Sequence, residues 1–183
     1  DGVGAAPALI IETGAAIMAE GTSSAPITFT SALPASFLPD RGLWGGLIVM
    51  GLATVYGGTG DVEGISGYTY GGSDDTDSSG TLKYVRVWYG GAVIGQDNEI
   101  NGITFAGVGS GTVVENIEVA FNKDDGVEFF GGTTQVKYLS LVANGDDSID
   151  TDEGYQGQKG VSAAAQKSAT AKRRRTRFAA EMV

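Results

Sequence analysis

With 183 residues the chain is long enough for one domain with a core, and its lack of cysteine and histidine excludes disulfides, thiolate metal sites and imidazole chemistry. Residues 1–158 hold 21 acids against 5 bases and residues 159–183 hold 7 bases against 1 acid, so a part of net −16 precedes one of net +6, which sum to −10. The acidic part disfavours nucleic acid and anionic membranes and favours cations or neutral partners, and no apolar run reaches the roughly 18 residues of a membrane-spanning helix.

Leu9-Ile10-Ile11, Ala16-Ile17-Met18 and Ile27-Thr28-Phe29 are short apolar runs separated by Gly14 and by Gly21-Thr22. Each is long enough for one edge of a coil, and glycine supplies the positive φ of a sharp corner. Ser31 to Leu43, with Pro34 and Pro39, reads as a loop leaving the coil, and Trp44 to Met50 returns to strand. Tyr56 to Gly80 is a second excursion, too polar and too rich in glycine for a core. Long loops of this kind are where binding residues concentrate. Strand resumes at Thr81 to Tyr89 and continues through Ala92-Val93-Ile94 and Ile103-Thr104-Phe105. The separation of Val85 from Ile117 exceeds the 22-residue repeat described next, which predicts an insertion near Gly95–Glu99.

Between Gly111 and Gly157 the sequence repeats itself. Asn122-Lys123-Asp124-Asp125-Gly126-Val127-Glu128 returns as Asn144-Gly145-Asp146-Asp147-Ser148-Ile149-Asp150, an offset of 22 residues. The same offset lays Ile117-Glu118-Val119 on Leu139-Ser140-Leu141 and Glu115 on Lys137, and Lys83-Tyr84-Val85 echoes Lys137-Tyr138-Leu139. A period in this range marks a solenoid, whose units bury their apolar faces against their neighbours. Within each unit, alternation, a polar Asn/Asp/Gly corner and renewed alternation read as strand, turn, strand. The expected fold is all-β: a parallel β-helix over residues 1–158, with coils of about 22 residues and loop insertions. From residue 159 to 183 the chain turns to Ala, Lys and Arg, including Lys172-Arg173-Arg174-Arg175-Thr176-Arg177. The expectation there is a basic tail that is disordered, helical or foreign to the domain.

Coils in register put Asp124 over Asp146, Asp125 over Asp147 and Glu128 over Asp150, with backbones about 4.8 Å apart. Like charges so close raise each other's pKa or recruit a cation. Hard oxygens in a polar corner suit Ca²⁺. The candidate ligands are Asp124, Asp125, Asp146, Asp147 and Asp150, with a second cluster at Asp74, Asp75 and Asp77. Neither cluster has the spacing of an EF-hand or of the nonapeptide calcium repeat, and the competing reading is that these side chains cap turns. Asp124, Asp125, Asp146 and Asp147 are also the acid and base candidates if the chain is a polysaccharide lyase or hydrolase. Lys123 and Arg86 are then the nearby bases, and fold analogy carries that argument. Trp44, Tyr68, Tyr70, Trp88 and Tyr89, with Tyr56, are the aromatic candidates for stacking on a glycan.

The runs Ile17-Met18-Ala19-Glu20-Gly21-Thr22, Ala25-Pro26-Ile27-Thr28-Phe29-Thr30-Ser31 and Arg41-Gly42-Leu43-Trp44-Gly45-Gly46-Leu47-Ile48 form a recognisable set. With them go Tyr70-Gly71-Gly72-Ser73-Asp74-Asp75, Asp97-Asn98-Glu99-Ile100-Asn101-Gly102 and Asp124-Asp125-Gly126-Val127-Glu128-Phe129-Phe130-Gly131-Gly132. Together, over roughly residues 8–158, the chain resembles large secreted or lipid-anchored surface proteins of Bacteroidetes-type bacteria. The resemblance implies a right-handed parallel β-helix exported to the cell surface, and it supplies no catalytic mechanism. After Gln158 the chain departs from the pattern, where another strand would be expected. The functional expectation is a non-catalytic, secreted or surface-bound binding or adhesion module, calcium-stabilised, for an extracellular polysaccharide or another surface protein. The alternatives are a carbohydrate-active enzyme and a structural spacer.

Overall fold

A computed structural model describes residues 7–38, 40–62, 65–95, 98–157, 159–160 and 164–166; Pro39, Asp97 and most of the basic stretch, 167–183, lie outside it. The three early apolar runs form β1 (Ala8–Ile11), β2 (Ile17–Glu20) and β3 (Ile27–Phe29). The first loop contains one short 3-10 turn, Ala35–Phe37, before β4 (Gly46–Met50). The second excursion holds a small antiparallel hairpin, β5 (Gly60–Asp61) with β6 (Thr69–Tyr70), and ends at β7 (Gly80–Trp88). The predicted insertion is a second hairpin, β8 (Val93–Gly95) with β9 (Asn98–Glu99). Then follow β10 (Ile103–Ala106), β11 (Val113–Ala120), β12 (Val127–Phe130), β13 (Gln135–Val142) and β14 (Ile149–Asp152). Two short strands, β15 (Lys159–Gly160) and β16 (Ala164–Gln166), come last.

Among the described residues all long-range strand pairings are parallel. One sheet runs β1-β4-β10-β12-β14, and the other runs β2-β7-β11-β13-β15, with β3 also on β7 and β16 also on β13. Each turn of the solenoid gives a short strand to the first sheet and a long one to the second, so the fold is a parallel β-helix. The long strands are bent. Tyr84, Asn116 and Tyr138 sit in register at φ of 49°, 58° and 58°, and the ladder skips them. β2 and β3 pair with the two sides of that bend on β7, as β15 and β16 do on β13. Each coil therefore has three faces. The other two corners are also columns of left-handed residues: Tyr89, Phe121 and Ala143, then Gly107, Gly131 and Glu153. Outside glycine this conformation costs about 1–2 kcal/mol per residue, and it is held here by the ladders on either side.

The core is made of stacked columns. Leu47, Ile103 and Val127 rise on the first sheet, and Leu82, Val114, Val136 and Val85, Ile117, Leu139 on the second, all buried. Phe105 stacks on Phe129 and Phe129 on Tyr155, with ring centroids 5.3 and 4.3 Å apart. Outside, Glu20, Lys83, Glu115 and Lys137 form a column of alternating sign. Its Lys137–Glu115 pair, at 3.7 Å and half exposed, contributes at most about 1 kcal/mol. Opposite charges at each step do more to disfavour a slipped register.

The second excursion corrects the expectation of a polar binding loop. Val55, Val62 and Tyr70 cover Ile48, Met50 and Ala106 on the outward face of the first sheet and form a second buried cluster with Ile100. The segment that leads into this excursion, Gly51 to Tyr56, runs along the solenoid axis. Ala53 donates its N–H to Gly107 O, Thr54 O accepts from Gly132 N–H, and Tyr56 N–H donates to Glu153 O, at 2.8, 2.8 and 2.9 Å. This axial strap therefore bonds to three successive coils. The pairing of β13 with β15 and β16 likewise places strands where the change of composition after Gln158 predicts none.

Candidate functional site

The repeated Asn/Asp corner joins the second sheet to the first. Its inside is filled by asparagine. Asn122, fully buried, donates from Nδ2 to Asp125 O at 2.6 Å, and its own N–H donates to Asn144 Oδ1 at 3.3 Å. Gly126 makes room for the second asparagine, because a Cβ there would stand 2.3 Å from Asn144 Nδ2. The amide ladder fixes the height of successive corners, so the carboxylates beside it are gathered by the coil repeat.

Two groups of three carboxylates result, Asp124–Asp125–Asp146 and Asp125–Glu128–Asp150, each with one oxygen per residue within 4.8 Å of the others. Asp125 belongs to both. It is only 9 % exposed, and its Oδ1 accepts the Asp147 N–H at 2.7 Å. Burial and then the neighbouring Asp124 charge push its pKa up to about 8, with Glu128 and Asp150 adding to the rise and the Asp147 hydrogen bond opposing it. Asp150 accepts the Thr151 N–H, and Glu128 and Asp150 are ladder partners. Asp147 enters the corner through its backbone N–H and carbonyl and is in neither group.

Asn101, from the segment before β10, was not anticipated. It is 5 % exposed, its Nδ2 donates to Glu128 Oε2 and to Thr104 Oγ1, and its Oδ1 is buried with no hydrogen-bond partner. Its sequence signal was only an Asn-Gly pair before a strand. Arg41 was also missed: Nη1 lies 3.3 Å from the position of a Cβ on Gly145, at the rim of the corner. Of the two expected bases, Lys123 runs its aliphatic chain against Gly42. Arg86 belongs to another face, 3.7 Å from Glu118 and over the ring of Trp88.

The second predicted cluster does not assemble. Asp74 Oδ1 accepts from Thr76 N–H and Oγ–H, Asp75 Oδ1 from Thr54 N–H, and Asp77 Oδ2 from Leu52 N–H. The Thr54 bond holds the exposed Asp75 carboxyl below its usual range. These carboxylates cap separate backbone segments, and among the described residues they form no group of three.

Two of the aromatic candidates, Trp44 and Tyr70, are taken up by the core. Trp44 is buried in the main core and donates Nε1–H to Trp88 O at 2.7 Å. Tyr70 is 3 % exposed and donates its hydroxyl to Glu153 Oε2, and Tyr68 packs beside it against the second cluster. Trp88 donates to Glu118 Oε1 under the Arg86 guanidinium, and Tyr89 is stacked on Phe121 at 5.3 Å. Tyr56 alone of the six is fully outward, 85 % exposed. Trp44 and Tyr70 are thus committed to packing, while Tyr68, Trp88 and Tyr89 are half-buried.

A family model described as "Pectate-lyase like beta helix domain" matches residues 2–177. The chain belongs to that family. No curated protein and no solved structure matches the chain.

Proposed function

We propose that the domain is a non-catalytic, extracellular β-helical binding module whose Asn/Asp corner takes Ca²⁺. One observation carries this reading: a nearly buried carboxylate, Asp125, is shared by two groups of three acids. At neutral pH so much negative charge must be offset by a proton or a cation. The donors are hard oxygens, and 4.8 Å is about the widest separation two ligands reach across one ion with bonds of roughly 2.3–2.6 Å. The buried Asn101 amide beside Glu128 is a further oxygen donor once its two ends exchange. Asp124, Asp125, Asp146, Glu128 and Asp150 would hold the ion, which supplies positive charge and open coordination positions for hydroxyls of a polysaccharide or carboxylates of another surface protein. Partners are then met through the ion and not through stacked aromatics.

The test is thermal unfolding and titration calorimetry at fixed ionic strength. Millimolar Ca²⁺ is expected to raise Tm by several degrees, and chelator to reverse it, because a ligand of the native state stabilises by mass action. An unchanged Tm together with no binding heat would reject the reading. A carbohydrate-active enzyme is the second reading. Its support is the Asp125 carboxyl, protonated near neutrality beside other acids, as a general acid requires. Release of reducing or unsaturated sugar ends from a polysaccharide panel, lost in Asp125→Asn, would favour it.

A further inference from the structure

A pocket lies on the outward face of the first sheet, where the two hairpin excursions meet it. Ile48 and Thr104, ladder partners on β4 and β10, line it together with Phe130 of β12. Val62, just after β5, and Glu99 and Ile100, at the end of the second hairpin, supply most of the rest. The pocket measures about 250 Å³ including its open mouth, and its enclosed part has room for a single water-sized group. A pyranose ring is too wide for that space.

The polar groups in the lining offer oxygen. Glu99 brings a carboxylate. Asn101 also lines the pocket and is 5 % exposed. A carboxylate only accepts, so Glu128 takes the NH2 end of the Asn101 amide and leaves Oδ1 buried without a partner. Thr104 Oγ1 already accepts from the same NH2 at 3.3 Å. Leaving a buried acceptor without a donor is costly, which favours a donor brought from outside. The charge here is negative, from Glu99 in the lining and Glu128 behind Asn101, and the lining holds no base. Ile48, Val62, Ile100 and Phe130 make the remaining walls apolar. Acceptors and negative charge among narrow apolar walls fit a compact ammonium on a methylene stem. A guanidinium is planar and wider, and a sugar hydroxyl would forgo the charge.

We infer that this pocket takes the ammonium of a lysine side chain presented by a partner protein, with Glu99 and Asn101 Oδ1 as its acceptors. The net charge of −16 over residues 1–158 draws a basic partner toward it. The inference rests on the reading of the domain as a binding module, and it adds a contact that does not pass through the ion.

The experiment is an amide-resolved NMR titration of the whole 183-residue protein with Nα-acetyl-lysine amide, in chelator and at fixed ionic strength. Saturable shifts in the millimolar range are expected at the Glu99, Ile100, Asn101 and Thr104 amides. The Nε-acetylated probe, and the lysine probe with Glu99→Gln, are each expected to bind about tenfold more weakly, the loss of one charge-assisted hydrogen bond. Unmoved amides elsewhere in the spectrum confirm that the variant is folded. If it is not, the two probes on wild type decide alone. Equal binding of the two probes, or undiminished binding by folded Glu99→Gln, overturns the inference, as does the absence of saturable shifts at these amides. Shifts that grow with protein concentration before any probe is added also overturn it and give the pocket to a second copy. Calcium plays no part in the readout, so this proposal and the calcium site fail separately.

Discussion

At the scale of single residues, Asp125 has the clearest physical signature. Its native pKa, near 8, is far above the ordinary 3.8. The native state therefore keeps a proton that the unfolded chain gives up in the window between those values. Its stability is fully present below the unfolded pKa and is lost as pH rises through the native one. The slope approaches about 1.4 kcal/mol per pH unit at most. Asp125→Asn keeps an oxygen for the Asp147 N–H and removes the charge. In chelator it is expected to flatten the fall of Tm between pH 4 and 8 and to be the more stable protein at pH 8. A variant whose Tm falls in parallel with wild type would show that the corner is solvated after all. Added Ca²⁺ is expected to reverse the order, stabilising wild type and leaving the variant nearly unmoved.

At the scale of elements, the corners decide what substitutions are tolerated. Tyr138 is 58 % exposed, and on contact grounds it should accept any side chain. Its φ of 58° says otherwise. A β-branched residue is poorly suited to that conformation, so Tyr138→Val is expected to cost about 1–2 kcal/mol in urea unfolding, while Tyr138→Gly stays close to wild type. Equal costs would mean that the ring, and not the backbone, matters there. The sequence shows part of this pattern. The spacing of Asn122 and Asn144 gives the repeat, the corner and the stacking of Glu128 on Asp150, because a coil repeats side chains and heights together. It hides the corner at Tyr84, Asn116 and Tyr138, where tyrosine stands in a conformation that glycine usually advertises. It also hides Asn101, which reaches Glu128 from another coil across 27 positions. The aromatic candidates misled for a related reason. Composition marks a tryptophan as available for a sugar but does not reveal that Trp44 Nε1 has a carbonyl partner on β7.

At the scale of the whole molecule, the strap sets how the coils share stability. A solenoid with only nearest-neighbour contacts can lose its end coils separately. Here Gly51 to Tyr56 bonds to three coils at once, and Val55, 3 % exposed, fits against Gly131, where a Cβ would stand 2.6 Å from its Cγ1. Val55→Ala is expected to cost about 2 kcal/mol. The loss should appear as faster hydrogen exchange at the Ala53, Gly132 and Tyr56 amides together. Exchange quickened at Tyr56 alone would mean that the strap only decorates coils that hold by themselves.

The same strap has a history as well as a place. Coils can be added in the order in which the chain leaves the ribosome, each resting on the one before. The strap cannot, because the Glu153 carbonyl that receives Tyr56 N–H arrives almost a hundred residues later. Until then Val55, Val62 and Tyr70 have only part of the surface that will bury them. Contacts between distant parts of a chain form slowly. The nascent domain thus carries an uncovered apolar band through most of its synthesis, and during that interval it is most open to misassembly or to capture by a chaperone.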